Sequence, residues 1–99
     1  MYQSWIYEPE ITYYEALLFY NAMQRHLDPY YYKPIAVAKR EQSGMKYRFL
    51  CIAMPKYAPG PPSHFADIEI YKPIAGMPYA SGLYRIDFDK MFPHRMPFL

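Results

Sequence analysis

The sequence predicts an α+β domain in which one N-terminal helix lies across an antiparallel sheet of four to five strands. Three observations lead there. A helix-capping pattern, Thr12-Tyr13-Tyr14-Glu15, opens the one stretch with helical periodicity, and the later apolar runs alternate with period two. The 11 prolines and 4 glycines argue against a helix bundle and for strands punctuated by rigid turns. A chain of 99 residues suffices for one core and is too short for two, so residues 1–99 are read as a single domain. Hydrophobic residues make up 53% and aromatic residues 20%, enough apolar surface to offset the entropy lost on ordering. The mean hydropathy of -0.30 understates this, because tyrosine buries a large ring yet scores as polar.

In the capping box the Thr12 hydroxyl accepts from the Glu15 amide while the Glu15 carboxylate accepts from the Thr12 amide. At about 100° per residue, Tyr13, Ala16, Leu17, Phe19, Tyr20, Met23 and Leu27 share one face, with Glu15, Asn21, Ala22 and Arg25 opposite. The first face is expected to pack on the sheet. Asp28-Pro29 is expected to end the helix, since proline has no amide and drives its predecessor out of the helical region.

Tyr30-Tyr31-Tyr32-Lys33-Pro34 reads as a connection, followed by strands at 35–42 and 45–54 joined by a hairpin at Ser43-Gly44. The second of these alternates Met45, Tyr47, Phe49, Cys51 and Ala53 against Lys46, Arg48, Leu50, Ile52 and Met54, so it runs from an exposed tip into a covered sheet. Pro55 to Ser63 is a stiff loop. Residues 64–72 form the next strand, with Ala66, Ile68 and Ile70 on one face and Phe65, Asp67, Glu69 and Tyr71 on the other. A second turn spans Pro73 to Gly82, a last strand runs from Gly82 to Asp89, and the tail 90–99 is expected to be irregular.

The net charge of +2 is too small to favour a polyanionic partner, so nucleic acid is not expected. Lys39, Arg40, Lys46 and Arg48 do interleave with Tyr47 and Phe49, as single-strand binders require, but Glu41 interrupts the cluster and a solvated hairpin explains it better. The start of the chain has neither a basic segment nor an apolar core of a secretory signal, and the longest apolar run, Phe49 to Met54, is far short of the roughly 18 residues of a membrane span. With Cys51 as the lone cysteine no intrachain disulfide forms; a cytoplasmic protein without a membrane partner is expected. His26, His64, His94 and Cys51 lack the short spacings of zinc sites, so no metal or other cofactor is expected. Ser63-His64 lacks a nucleophile elbow, and Cys51 in mid-strand reads as a small hydrophobe, so the chain is not read as an enzyme. Trp5, Tyr7, Tyr30 to Tyr32 and Tyr79 either edge the core or belong to a binding surface.

Ala16-Leu17-Leu18-Phe19, the run from Val37 to Phe49, and Ala66-Asp67-Ile68-Glu69-Ile70-Tyr71-Lys72-Pro73 look like parts of the cystatin superfamily, closest to its disulfide-free stefin branch. The resemblance covers about residues 12–89. It implies a curved sheet wrapped around one helix, and reversible, competitive inhibition of papain-like cysteine proteases. In that family an N-terminal segment, a first hairpin with Gln-x-Val-x-Gly and a second hairpin together plug the protease cleft. Carried over, these are Trp5 and Ile6, then Gln42, Ser43 and Gly44, then Ile74, Ala75, Gly76 and Met77. The first hairpin keeps its glycine but reads Arg40-Glu41-Gln42-Ser43-Gly44, placing a charge and an amide where the family has Gln and Val. Neither the Leu-Pro of stefins nor the Pro-Trp of secreted cystatins is intact in the second, and no glycine precedes Gly44. On this reading Gly44→Glu is expected to weaken inhibition while leaving the fold intact. The alternative is a non-inhibitory interaction module of the same fold. The partner is then a papain-like cysteine protease or another protein, and the chain is a monomer or a strand-exchanged dimer.

Overall fold

The computed structural model describes residues 5–86; the expected strand residues 87–89 and the tail 90–99 lie outside them. Helix α1 (Tyr13–Met23) is followed by strands β1 (Tyr30–Glu41), β2 (Gly44–Pro55), β3 (His64–Pro73) and β4 (Tyr79–Ile86). The strands form one antiparallel meander in the order β1-β2-β3-β4, so the α+β architecture of one N-terminal helix on an antiparallel sheet is the one expected.

The capping box forms as read: Glu15 N donates to Thr12 Oγ1 at 3.1 Å and Thr12 N donates to Glu15 Oε1 at 2.9 Å. The helix buries a stripe that keeps Phe19 from the expected face but is rotated away from its tyrosines. Glu15, Leu18, Phe19 and Ala22, spaced i, i+3, i+4 and i+7, face the sheet. Tyr13, Leu17 and Tyr20 are 81%, 46% and 52% exposed. A count of apolar rings favours the tyrosine face, but tyrosine hydroxyls gain more from water than from a dry core, and Ala22 lets the helix approach the sheet closely. Glu15 is tolerated there because Lys39 Nζ on β1 lies 2.6 Å from its Oε2. Burial alone raises the Glu15 pKa; the Lys39 ammonium and the Thr12 bonds outweigh it and hold the carboxyl below its ordinary range.

The helix also ends earlier than expected, at Met23, with Gln24 as its C-cap. Asp28 does not terminate it. Its carboxylate instead organises the start of β1, accepting from Tyr30 N at 2.8 Å and Tyr32 Oη at 2.5 Å and lying 2.9 Å from His26 Nε2. These bonds draw Tyr30 to Pro34 into the sheet, where a connection was expected. Pro34 is accommodated by a register shift between Pro34 and Ala36. Leu27, expected in the apolar stripe, is 88% exposed in the turn between α1 and β1.

The period-two reading of β2 and β3 holds. Tyr47, Phe49, Cys51 and Ala53 are buried on the helix side together with Ala66, Ile68 and Ile70. Phe19 meets Phe49 with ring centroids 4.9 Å apart, and Val37, Leu18 and Ala22 complete the core around them. Cys51 is fully buried; its thiol faces the Phe49 carbonyl at 3.5 Å and desolvation pushes its pKa far up, as for a packing residue. β4 begins at Tyr79 rather than Gly82, with a register shift between Glu69 and Ile70 where it joins β3.

Two substitutions on one helix test its orientation. Phe19→Ala is expected to cost about 3–5 kcal/mol in urea unfolding. Leu17→Ala, on the face first expected to be buried, is expected to cost less than about 1 kcal/mol. Glu15→Gln retains the capping box but removes the charge facing Lys39, so a loss of roughly 1 kcal/mol is expected at pH 7. Because the folded Glu15 pKa is depressed, its contribution is fully present above the unfolded value, near 4.5, and fades as pH falls through the folded one. The difference between wild type and Glu15→Gln in stability-against-pH curves is therefore expected to vanish in acid.

Candidate functional site: one end of the sheet

A four-strand meander turns twice at one end and once at the other. The β1–β2 and β3–β4 turns therefore lie side by side, away from the Pro55–Ser63 loop. Their contact is direct: Gly44 opens β2 opposite Pro73 at the end of β3, and the Tyr71 hydroxyl donates to the Ser43 carbonyl. The N-terminal segment comes to the same end. Glu8 and Val37 exchange both backbone hydrogen bonds at 2.9 Å in an antiparallel bridge, so the residues before Glu8 run alongside β1 toward its hairpin.

All three sequence-selected segments thus meet at one end. Ile6 is 76% exposed, Ile74 81% and Met77 75%. Gln42, Ser43, Ala75 and Gly76 are exposed as well. Trp5 differs: it is half-buried, with its ring against Arg40 and Arg48 at 4.2 and 4.7 Å from the guanidinium carbons. Ser43 adopts φ 50, and Gln42 N donates to the Gly44 carbonyl at 3.0 Å, which closes the hairpin.

Gly44 needs its glycine for a local reason. Its φ is +122, and a Cβ built there would lie 2.5 Å from the Lys72 carbonyl oxygen. The missing side chain makes room for β3 of the same molecule. The expectation that Gly44→Glu leaves the fold intact is therefore corrected: this position holds the two hairpins together, and its substitution reports on folding.

The face of the sheet away from the helix carries a polar group that reading the strands one by one did not assemble. Arg48 on β2 stands opposite Glu69 on β3, with Nε 3.3 Å from Oε2; its Nη1 is 4.0 Å from Asp67 Oδ2. Ser81 Oγ on β4 donates to Glu69 Oε1 at 3.0 Å, and Tyr7 Oη donates to Asp67 Oδ2 at 2.5 Å. Burial, opposed by Tyr7 and Arg48 and reinforced by Glu69, leaves the Asp67 pKa above its ordinary value. Strand alternation places Arg48, Asp67 and Glu69 on one face, but nothing in the sequence sets the register that pairs them or brings Tyr7 to Asp67.

The same alternation separates Arg48 from Tyr47 and Phe49, whereas Lys39 stands opposite Tyr47 on their face. Tyr47 and Phe49 lie beneath the helix, while Arg48 points to the opposite face and Lys39 reaches Glu15. The rings and cations adjacent in sequence do not form one stacking surface. Among the described residues no cluster of three or more His, Cys, Asp or Glu could hold a metal ion, and no helix is long and apolar enough to cross a membrane.

No protein-family model, no curated protein sequence and no solved structure matches this chain.

The role given to Gly44 is checked by stability rather than by binding. Gly44→Ala is expected to lower the unfolding free energy by about 1–3 kcal/mol from the positive φ alone, with the carbonyl contact adding to it. Ser43→Gly, at a positive φ that glycine adopts freely, is expected to leave the melting temperature unchanged or raise it slightly.

Proposed function

We propose that the protein is a reversible, competitive inhibitor of papain-like cysteine proteases with a cystatin-like fold. The observation that carries this reading is the meeting of Ile6, the Gln42-Ser43 tip and the Ile74–Met77 turn at one end of the sheet, each exposed and none of them needed by the core. A ridge of that kind plugs a cleft by shape. The second hairpin supplies the apolar tip, since Ile74 and Met77 flank Gly76, whose φ of +142 shapes the turn. The first hairpin supplies a polar one, with the exposed Gln42 amide and Ser43 hydroxyl able to exchange water for backbone partners in the cleft. An interface of usual size, about 800 Å² per partner, accommodates all three segments.

A second reading, a non-inhibitory interaction module, is favoured by the outer face of α1. Tyr13, Tyr14, Leu17 and Tyr20 are all exposed there, forming an aromatic surface independent of the hairpin end.

Titration against papain separates the two readings. Inhibition is expected at micromolar protein or below, competitive with a peptide substrate. Ile74→Asp and Met77→Asp, both at exposed turn positions, are each expected to raise the inhibition constant at least about tenfold with an unchanged melting temperature. Undiminished hydrolysis at micromolar protein rejects the inhibitor reading. Inhibition that survives both turn variants removes the second hairpin from the contact.

A further inference from the structure

Three contacts tie the N-terminal segment to the sheet, two of them on its open face. Trp5 lies against Arg40 and Arg48 at 4.2 and 4.7 Å; Tyr7 donates to Asp67 at 2.5 Å; Glu8 is bridged to Val37 on the edge of β1. Arg48 is no loose surface cation, because Glu69 and Asp67 on β3 hold it from the other side and its guanidinium also lies 5.7 Å from the Tyr84 ring of β4. The platform under Trp5 is thus built from the sheet itself. Trp5 and Tyr7 both reach that face, and Ile6 between them is left 76% exposed.

We infer that Trp5 is a positioning residue rather than a contact residue: it fastens the N-terminal segment to the sheet and presents Ile6 beside the two hairpins before any partner arrives. This rests on the inhibitor reading for its consequence, since a segment already ordered in the free protein loses little further entropy on docking. Arg40, Arg48 and Asp67 then act on the partner through Trp5 and Tyr7 without touching it. It also divides the two N-terminal residues selected from the sequence, giving Ile6 to the partner and Trp5 to the sheet.

The experiment uses the full chain with Trp5→Phe, Trp5→Leu, Arg40→Gln, Tyr7→Phe and the double variant Trp5→Leu with Arg40→Gln. Phenylalanine keeps an aromatic face for the guanidinium groups, whereas leucine keeps only apolar bulk that would serve a protease pocket equally well. Against papain, Trp5→Leu is expected to raise the inhibition constant about 2- to 5-fold, with Trp5→Phe recovering most of the loss. Arg40→Gln is expected to add less in the Trp5→Leu background than in wild type. Leucine equal to tryptophan, phenylalanine no better than leucine, or strictly additive losses overturn the inference.

A second measurement needs no protease. Trp5 is the single tryptophan, so acrylamide quenching of its fluorescence reports its contact with the sheet. Arg40→Gln and Tyr7→Phe are each expected to raise the quenching constant about twofold, toward that of free indole. Unchanged quenching rejects the anchor even if papain is inhibited. Raised quenching in a chain that does not inhibit papain keeps the anchor and rejects the inhibitor reading.

Discussion

The contact of Phe19 with Phe49, two rings 4.9 Å apart between the helix and the second strand, decides which face of the sheet is core. A strand's side chains alternate, so once Phe49 points at the helix, Tyr47, Cys51 and Ala53 follow it and Arg48 cannot. Through the register, the choice propagates to β3, where Ile68 stands opposite Phe49 and goes under the helix, while Glu69 stands opposite Arg48 and stays outside. The charged group on the open face is therefore a consequence of the core. With Arg48 and Glu69 paired directly across the strands, the face can be half-buried without leaving either charge unmatched.

Meander topology does the rest of the positioning. Consecutive antiparallel strands reverse direction at each turn, so the first and third turns must share an end whatever their sequences are. Sequence enters in how closely they approach. Gly44 admits the Lys72 carbonyl where any side chain would collide, and the Tyr71 hydroxyl reaches the Ser43 carbonyl, so the two hairpins are in direct contact. The N-terminal segment joins them for a separate reason, the antiparallel bridge from Glu8 to Val37, whose direction sends Ile6 toward the hairpins.

What could be read from the chain alone was local. The capping box at Thr12 and Glu15, the alternation from Met45 to Met54 and the Ser43-Gly44 turn are each decided by interactions within a few residues or by a single inside-outside preference, and the fold class follows from their order. The errors arose where a distant partner decides. Glu15 is a poor core residue until Lys39 arrives from β1, so helical periodicity alone puts it and Ala22 on the solvent face even though Phe19 reads as core. Tyr30 to Pro34 looks like a connection until Asp28 captures the Tyr30 amide and the Tyr32 hydroxyl. At the candidate site, the glycine of the first hairpin was legible but its reason was not, because the clash it avoids is with a strand nearly thirty residues away. Tyr7, Asp67 and Arg48 carried no signal as a group, since only the register of three strands and the path of the N-terminal segment bring them together.

The composition of the hairpin end bears on how it would hold a protease. The first hairpin is polar at its tip, and its neighbouring Arg40 is turned onto Trp5. Desolvating an arginine without a partner is costly, so a tip that presented Arg40 outward would weaken a close contact. Its placement against an aromatic ring on the open face of the sheet removes that objection, because the guanidinium meets the indole rather than the cleft. The apolar burial available to a partner is then concentrated in Ile6, Ile74 and Met77, one from the N-terminal segment and two from the second hairpin. On the inhibitor reading, affinity comes chiefly from those three side chains, while the first hairpin contributes backbone shape and hydrogen bonds.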